Sequence, residues 1–156
     1  MIKKLVLVFA AAGFGMAAAG CGNPAGLVPV SGKVLYHGEP AAGAVVYFHR
    51  EGQAGDAHLP IPFGIVEDDG SFYLDSDNLG YGALPGTYSV FVEWRDGSGD
   101  GTVPVKTKGK VKLVKRSRVR SGPDRVKGRY FDITKPLLHA EVKPGSNQLP
   151  PFELTD

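Results

Sequence analysis

Leu84-Pro85-Gly86-Thr87-Tyr88-Ser89-Val90-Phe91-Val92-Glu93-Trp94 is the stretch that decides the fold of this chain. Pro85 and Gly86 set a tight turn, because proline holds φ at about −65° and glycine accepts positive φ. From Thr87 to Trp94 the residues then alternate, which predicts a strand with one buried and one wet face. Tyr88, Val90 and Val92 make the inward stripe. The Tyr88 ring packs, and its hydroxyl is expected to reach a backbone partner at the sandwich edge. On this reading Phe91 and Glu93 stand on the wet side.

Working outward, the same grammar repeats. Val28 to Tyr36 alternates and is turned by His37-Gly38-Glu39-Pro40, and Ala44 to His49 is rich in β-branched and aromatic residues. Gly64–Glu67 and Ser71–Leu74 flank Asp68-Asp69-Gly70, a hairpin signal that sends Phe72 and Leu74 toward the same core. Leu137–Val142 and Gln148–Leu154 close the set around Pro144-Gly145. Helical periodicity is missing, while 22 glycines and 12 prolines punctuate the chain at short intervals. The expectation is an all-β chain: a single antiparallel β-sandwich of about seven strands. Alternating aromatics in such strands read as core rather than as a ligand box.

Several of these stretches resemble a known family. Val30-Ser31-Gly32-Lys33-Val34 followed by Gly38-Glu39-Pro40-Ala41-Ala42-Gly43-Ala44-Val45-Val46 looks like the opening of carboxypeptidase regulatory-like, transthyretin-like (prealbumin-like) sandwich domains. Asp68-Asp69-Gly70-Ser71-Phe72 and Leu84-Pro85-Gly86-Thr87-Tyr88 resemble the turn and the central-strand start of those domains. The tail from Tyr130 to Gly145 resembles the ending of small lipoproteins of planctomycete-like bacteria. The resemblance spans most of residues 28–154 and implies the sandwich fold.

The N-terminus carries a second signal. Lys3 and Lys4 precede an apolar run from Leu5 to Ala12, and Ala18-Ala19-Gly20 leads into Cys21. That is the layout of an export signal, and its apolar run is shorter than the roughly 20 residues of a membrane span. The ending resembles the lipobox of bacterial lipoproteins, although Ala18 stands where Leu is usual. The resemblance implies a signal peptide over 1–20, lipidation at Cys21, a tether over 21–27 and the sandwich over 28–154. It also implies a cell-envelope location, lipid-anchored in the outer membrane on its periplasmic or surface face. Cys21 is the chain's single cysteine, so neither an internal disulfide nor a cysteine-based metal site is available.

Charge is unevenly spread. From Val103 to Arg129 there are eleven Lys or Arg against one acid, Asp124, whereas Cys21 to Thr102 holds eleven acids against three bases. This marks a basic insertion at about 97–128. In one extended strand, Lys106, Lys108, Lys110 and Lys112 would share a face, with Arg116, Arg118 and Arg120 repeating the spacing. Such a ribbon is a candidate contact for anionic polysaccharide, lipid headgroups or an acidic envelope protein. The bland alternative is a hairpin whose lysines keep its edges soluble. No aromatics interleave with the bases, which argues against a nucleic-acid platform.

Enzyme signatures are missing: there is no G-x-S-x-G, H-E-x-x-H or Walker A loop, and the four histidines are scattered. Asp96, Ser98 and Asp100 match the first half of a calcium loop, but position twelve is Thr107 rather than glutamate, so the match to a metal site is weak. No cofactor is implied. The expected function is a membrane-tethered, non-catalytic β-sandwich for adhesion, envelope assembly or ligand contact. The alternative is an accessory glycan- or peptide-binding domain serving a separate enzyme.

Overall fold

The computed structural model describes residues 26–52, 61–98, 102–107, 110–115 and 122–156. They form an all-β sandwich of two layers, not closed into a barrel. The strands are β1 (Val30–Tyr36), β2 (Glu39–Pro40), β3 (Val45–Arg50), β4 (Phe63–Ile65), β5 (Ser71–Tyr73), β6 (Gly86–Glu93), β7 (Thr102–Thr107), β8 (Lys110–Lys115), β9 (Leu138–Val142), β10 (Asn147–Gln148) and β11 (Phe152–Leu154).

One layer is built around β1. Along one edge β1 pairs antiparallel with β5 and then with β2, which returns through His37-Gly38, both at positive φ as a two-residue hairpin turn requires. The other edge departs from the sequence expectation. There β10 and β11 run parallel to β1, with Val30 opposite Asn147 and Val34 opposite Phe152. Between them lie Pro150 and Pro151, which have no N–H to give a ladder, so the C-terminal segment pairs in two short pieces. The sandwich is therefore antiparallel-rich rather than wholly antiparallel.

The second layer is antiparallel, in the order β4-β3-β6-β9. The β4 and β5 arms flank Asp68-Asp69-Gly70, yet β4 pairs with β3 and β5 with β1, so this hairpin forms the corner joining the layers. Between them Tyr88, Val90 and Val92 point inward, each at most 1% exposed, as the alternation of β6 predicts. Phe48 sits among Phe72, Tyr88 and Phe152 with ring centroids 5.7–6.3 Å apart. The Tyr88 hydroxyl donates to the Leu84 carbonyl at 2.7 Å, the expected backbone partner, and burial pushes its pKa up.

The opposite face of β6 is not wet. Phe91 is 3% exposed because Phe131 packs over it and over Tyr47, at centroid distances of 6.2 and 5.6 Å. Phe131 is delivered there by the turn over residues 122–130, which Asp124 organises. Its carboxylate accepts N–H groups from Trp94 at 3.0 Å and Gly128 at 2.7 Å. Val126 and Tyr130 join the core from this turn, and Arg125 stacks over the Trp94 ring at 4.7 Å. The one acid of the basic stretch is thus a structural clamp.

Candidate functional site

The outer face of the four-stranded layer, continued past β4 by two isolated bridges, carries a row of directly opposed residues. Tyr47 of β3 lies opposite Phe91 of β6 on one side and Phe63 of β4 on the other. Phe63 lies opposite Asp75, and Asp75 opposite Tyr81. Opposed residues of an antiparallel ladder share a face, so five backbone segments place Phe91, Tyr47, Phe63, Asp75 and Tyr81 in line. Four interstrand steps of about 4.8 Å give a row about 19 Å long.

Local bonding fixes the register. Phe63 and Asp75 exchange both backbone hydrogen bonds, at 2.9 and 2.8 Å. Asp75 and Tyr81 are framed by the bonds Ser76 N–H to Gly80 and Gly82 N–H to Leu74, which makes them a non-hydrogen-bonded pair with closely spaced side chains. Ser76, 1% exposed, seals the turn beneath by donating its hydroxyl to the Gly82 carbonyl at 2.6 Å. Gly82 has no substitute here, since a Cβ would lie 2.1 Å from the Val28 carbonyl oxygen.

The two ends of the row differ. At the β6 end Phe131 covers Phe91 and Tyr47, and burial, reinforced by the Glu93 charge, raises the Tyr47 pKa. At the other end Tyr81 is 80% exposed. Tyr73, two residues before Asp75 and so on the same face, is 69% exposed. Among the described residues, no side chain engages the hydroxyls of Tyr73 and Tyr81 or the Asp75 carboxylate.

Beside the row sits a polar cluster. Glu51 Oε1 accepts the Ser89 hydroxyl at 3.1 Å and lies 3.0 Å from His139 Nδ1. His49 packs against Phe91 with centroids 4.8 Å apart, and partial burial lowers its pKa. An activated serine needs an imidazole against its hydroxyl, with the acid behind the imidazole. Here the carboxylate stands between serine and histidine. The cluster ties β3, β6 and β9 together but does not prime Ser89 for attack. Among the described residues, no group of three or more His, Cys, Asp and Glu is placed to hold a metal ion.

The residues singled out from sequence fall elsewhere. Cys21, Asp100, Lys108, Arg116, Arg118 and Arg120 lie outside the described residues. Asp96 accepts the Ser98 backbone N–H at 2.8 Å, a local turn, and this bond holds its pKa low. The single lysine ribbon is replaced by the two-stranded hairpin β7–β8. The chain reverses between Thr107 and Lys110, pairing Lys106 with Val111, Thr107 with Lys110 and Val105 with Lys112. Lys106 therefore belongs to one alternating set of ladder positions, and Lys110 and Lys112 to the other. Sequence reasoning misses the tyrosines of the outer row. Tyr73 is within its reach, since it alternates with the inward Phe72, while Tyr81 carries little signal beyond the glycines on either side of it.

The described residues thus define a β-sandwich with an aromatic-rich row ending at exposed Tyr81, beside which Tyr73 is also exposed. No protein-family model matches the chain, and no curated protein does. Among solved structures it is similar to a DUF3823 family protein from Parabacteroides merdae, at 16% identity and a TM-score of 0.36. That match covers 81% of this chain and 44% of the other, so this chain spans under half of that protein's length. At this TM-score the likeness carries no argument about function.

Proposed function

We propose that this chain is an exported lipoprotein, acylated at Cys21, whose β-sandwich is a non-catalytic binding module that meets its ligand through the outward face at the corner where the four-stranded layer passes into β5 and the segment to Tyr81. The export signal ending at Cys21 and the four ordered sandwich motifs support the first part. The second part is carried by one observation: Tyr81, at the end of the row, is 80% exposed, and Tyr73, two residues from Asp75, is 69% exposed. Tyrosine is enriched where surfaces bind, because it offers a rigid apolar ring with a polar tip. Among the described residues, no side-chain hydrogen bond or ring contact holds either ring where it stands.

Fatty-acid labelling joined to co-sedimentation tests the proposal. Wild type should incorporate labelled fatty acid and Cys21→Ser should not, because Cys21 carries the acyl chains that supply the attachment. The unacylated Cys21→Ser protein should still co-sediment with washed, lipoprotein-depleted envelopes, and adding Tyr73→Ser and Tyr81→Ser should abolish that. Equal labelling of Cys21→Ser and wild type would overturn the lipid anchor, and unchanged co-sedimentation of the triple variant would overturn the binding face.

A further inference from the structure

The geometry points to a neutral glycan subsite formed by Tyr73, Asp75 and Tyr81, an inference that rests on the reading of the outer face as a contact surface. Three features of the row select this chemistry. First, the two exposed side chains are tyrosines, whose π faces are negative and whose hydroxyls both donate and accept. A pyranose ring presents polarised C–H groups on its flat side and hydroxyls around its rim. It therefore matches a tyrosine face and tip together, through C–H contacts of the weak hydrogen-bond kind.

Second, Asp75 stands between them. It is opposite Tyr81 across a bridge and two residues beyond Tyr73 along the chain. A carboxylate has two acceptor oxygens and no donor when ionised, which suits a pair of neighbouring sugar hydroxyls. Among the described residues no side chain occupies those oxygens. The strand below is held by backbone bonds on both sides of Asp75, so the carboxylate is supported on a fixed backbone rather than a free loop.

Third, the charge excludes an acidic polymer. The row from Phe91 to Tyr81 contains a carboxylate and no cation. Lys33 of β1 opposes Ser71 and so shares the face of Tyr73, but its ammonium is held 3.7 Å from Asp69. A polyanion would meet like charge at Asp75, with Lys33 already engaged by Asp69, which opposes binding. A purely apolar partner would leave the Asp75 carboxylate desolvated without a partner. An uncharged, hydroxyl-rich chain avoids both penalties.

The test uses the purified full chain in detergent with ring-labelled tyrosines followed by NMR. The probes are cellohexaose, mannohexaose, N-acetylchitohexaose and, as the acidic control, a galacturonate hexamer. At least one neutral hexasaccharide should shift the Tyr73 and Tyr81 ring signals and leave that of buried Tyr88 in place. Tyr81→Ser and Tyr73→Ser should each weaken that binding by about tenfold or more, as truncation of an aromatic anchor does. Asp75→Asn should weaken it while preserving the fold. The galacturonate hexamer should leave both rings unmoved. Melting curves of the three variants check folding, which exposed Tyr73 and Tyr81 and half-buried Asp75, all outside the core cluster, should leave intact. If no neutral hexasaccharide moves the two rings, or if binding survives Tyr81→Ser, the glycan subsite is overturned. Should envelope co-sedimentation still need Tyr73 and Tyr81 in that case, the contact face stands and its partner is a protein. If co-sedimentation is also indifferent to the tyrosines, the face itself falls.

Discussion

Replacing Gly32 with alanine sets two effects against each other, and the structure decides between them. Gly32 has no positive φ, so an alanine backbone fits, and the entropy lost by the unfolded chain would favour the variant by about 0.4–1 kcal/mol. The added Cβ, however, would lie 2.7 and 2.8 Å from two ring carbons of Phe72 and 3.4 Å from the Leu149 Cβ. Phe72 cannot yield easily. Its ring is fully buried and stacks on Phe152 at 6.2 Å, with Phe48 also at 6.2 Å. Overpacking of this kind costs about 1–3 kcal/mol, so the net effect runs from about zero to a loss of about 2.6 kcal/mol, with a midpoint loss of about 1.3 kcal/mol. At this chain length the midpoint loss lowers the melting temperature by about 3–5 °C. Thermal melts followed by circular dichroism read it directly. Adding Phe72→Leu frees the space, so the double variant should lose less than the sum of the singles, by at least about 0.5 kcal/mol. A Gly32→Ala protein that melts above wild type, or additive losses in the cycle, would refute the packing of Phe72 over Gly32.

Three further outcomes follow from particular contacts. Phe91→Asp should destabilise the fold about as severely as Val90→Asp, because both bury a carboxylate without a partner. Equal melting of Phe91→Asp and wild type would show that Phe131 does not cover that face. Asp124→Ala should cost about 1–3 kcal/mol, since it leaves backbone N–H groups of Trp94 and Gly128 without their acceptor, and amide exchange over residues 124–130 should rise with it. Finally, burial lowers the His49 pKa below the ordinary imidazole value of 6.5, so just below that pH the unfolded chain holds a proton that the folded chain refuses. Stability should therefore fall as pH drops from 7.5 through 6.5 and level off below the folded value. His49→Gln should flatten that slope, and an unchanged slope would contradict the burial of the ring.

What is legible in the sequence is whatever local alternation controls. The β6 stripe of Tyr88, Val90 and Val92 is visible because period-2 patterning acts within one strand. The Tyr88 hydroxyl bond follows from a turn four residues away. Pairings set over long separations are not legible. Strand β1 meets β10 and β11 more than a hundred residues later, and no motif in either announces a parallel register. The cover over Phe91 escapes for a similar reason. Phe131 reaches that face only because Asp124 clamps a turn inside a stretch that otherwise reads as basic and solvated. The outer row is the extreme case: its five residues come from five segments between Tyr47 and Phe91, and only the pairing of all five puts them in line.

Hydroxyl-radical footprinting of Tyr73 and Tyr81 in intact cell envelopes, compared with the purified chain, tests the central claim most directly, because it reads the contact face whatever the ligand is. Tyr36, partly exposed at the far end of β1 with its hydroxyl on Asp156 at 2.6 Å, serves as the internal reference. The account predicts that oxidation of Tyr73 and Tyr81 falls several-fold in the envelope relative to Tyr36 and recovers when the chain is extracted. Equal oxidation of both tyrosines in the two settings would contradict it.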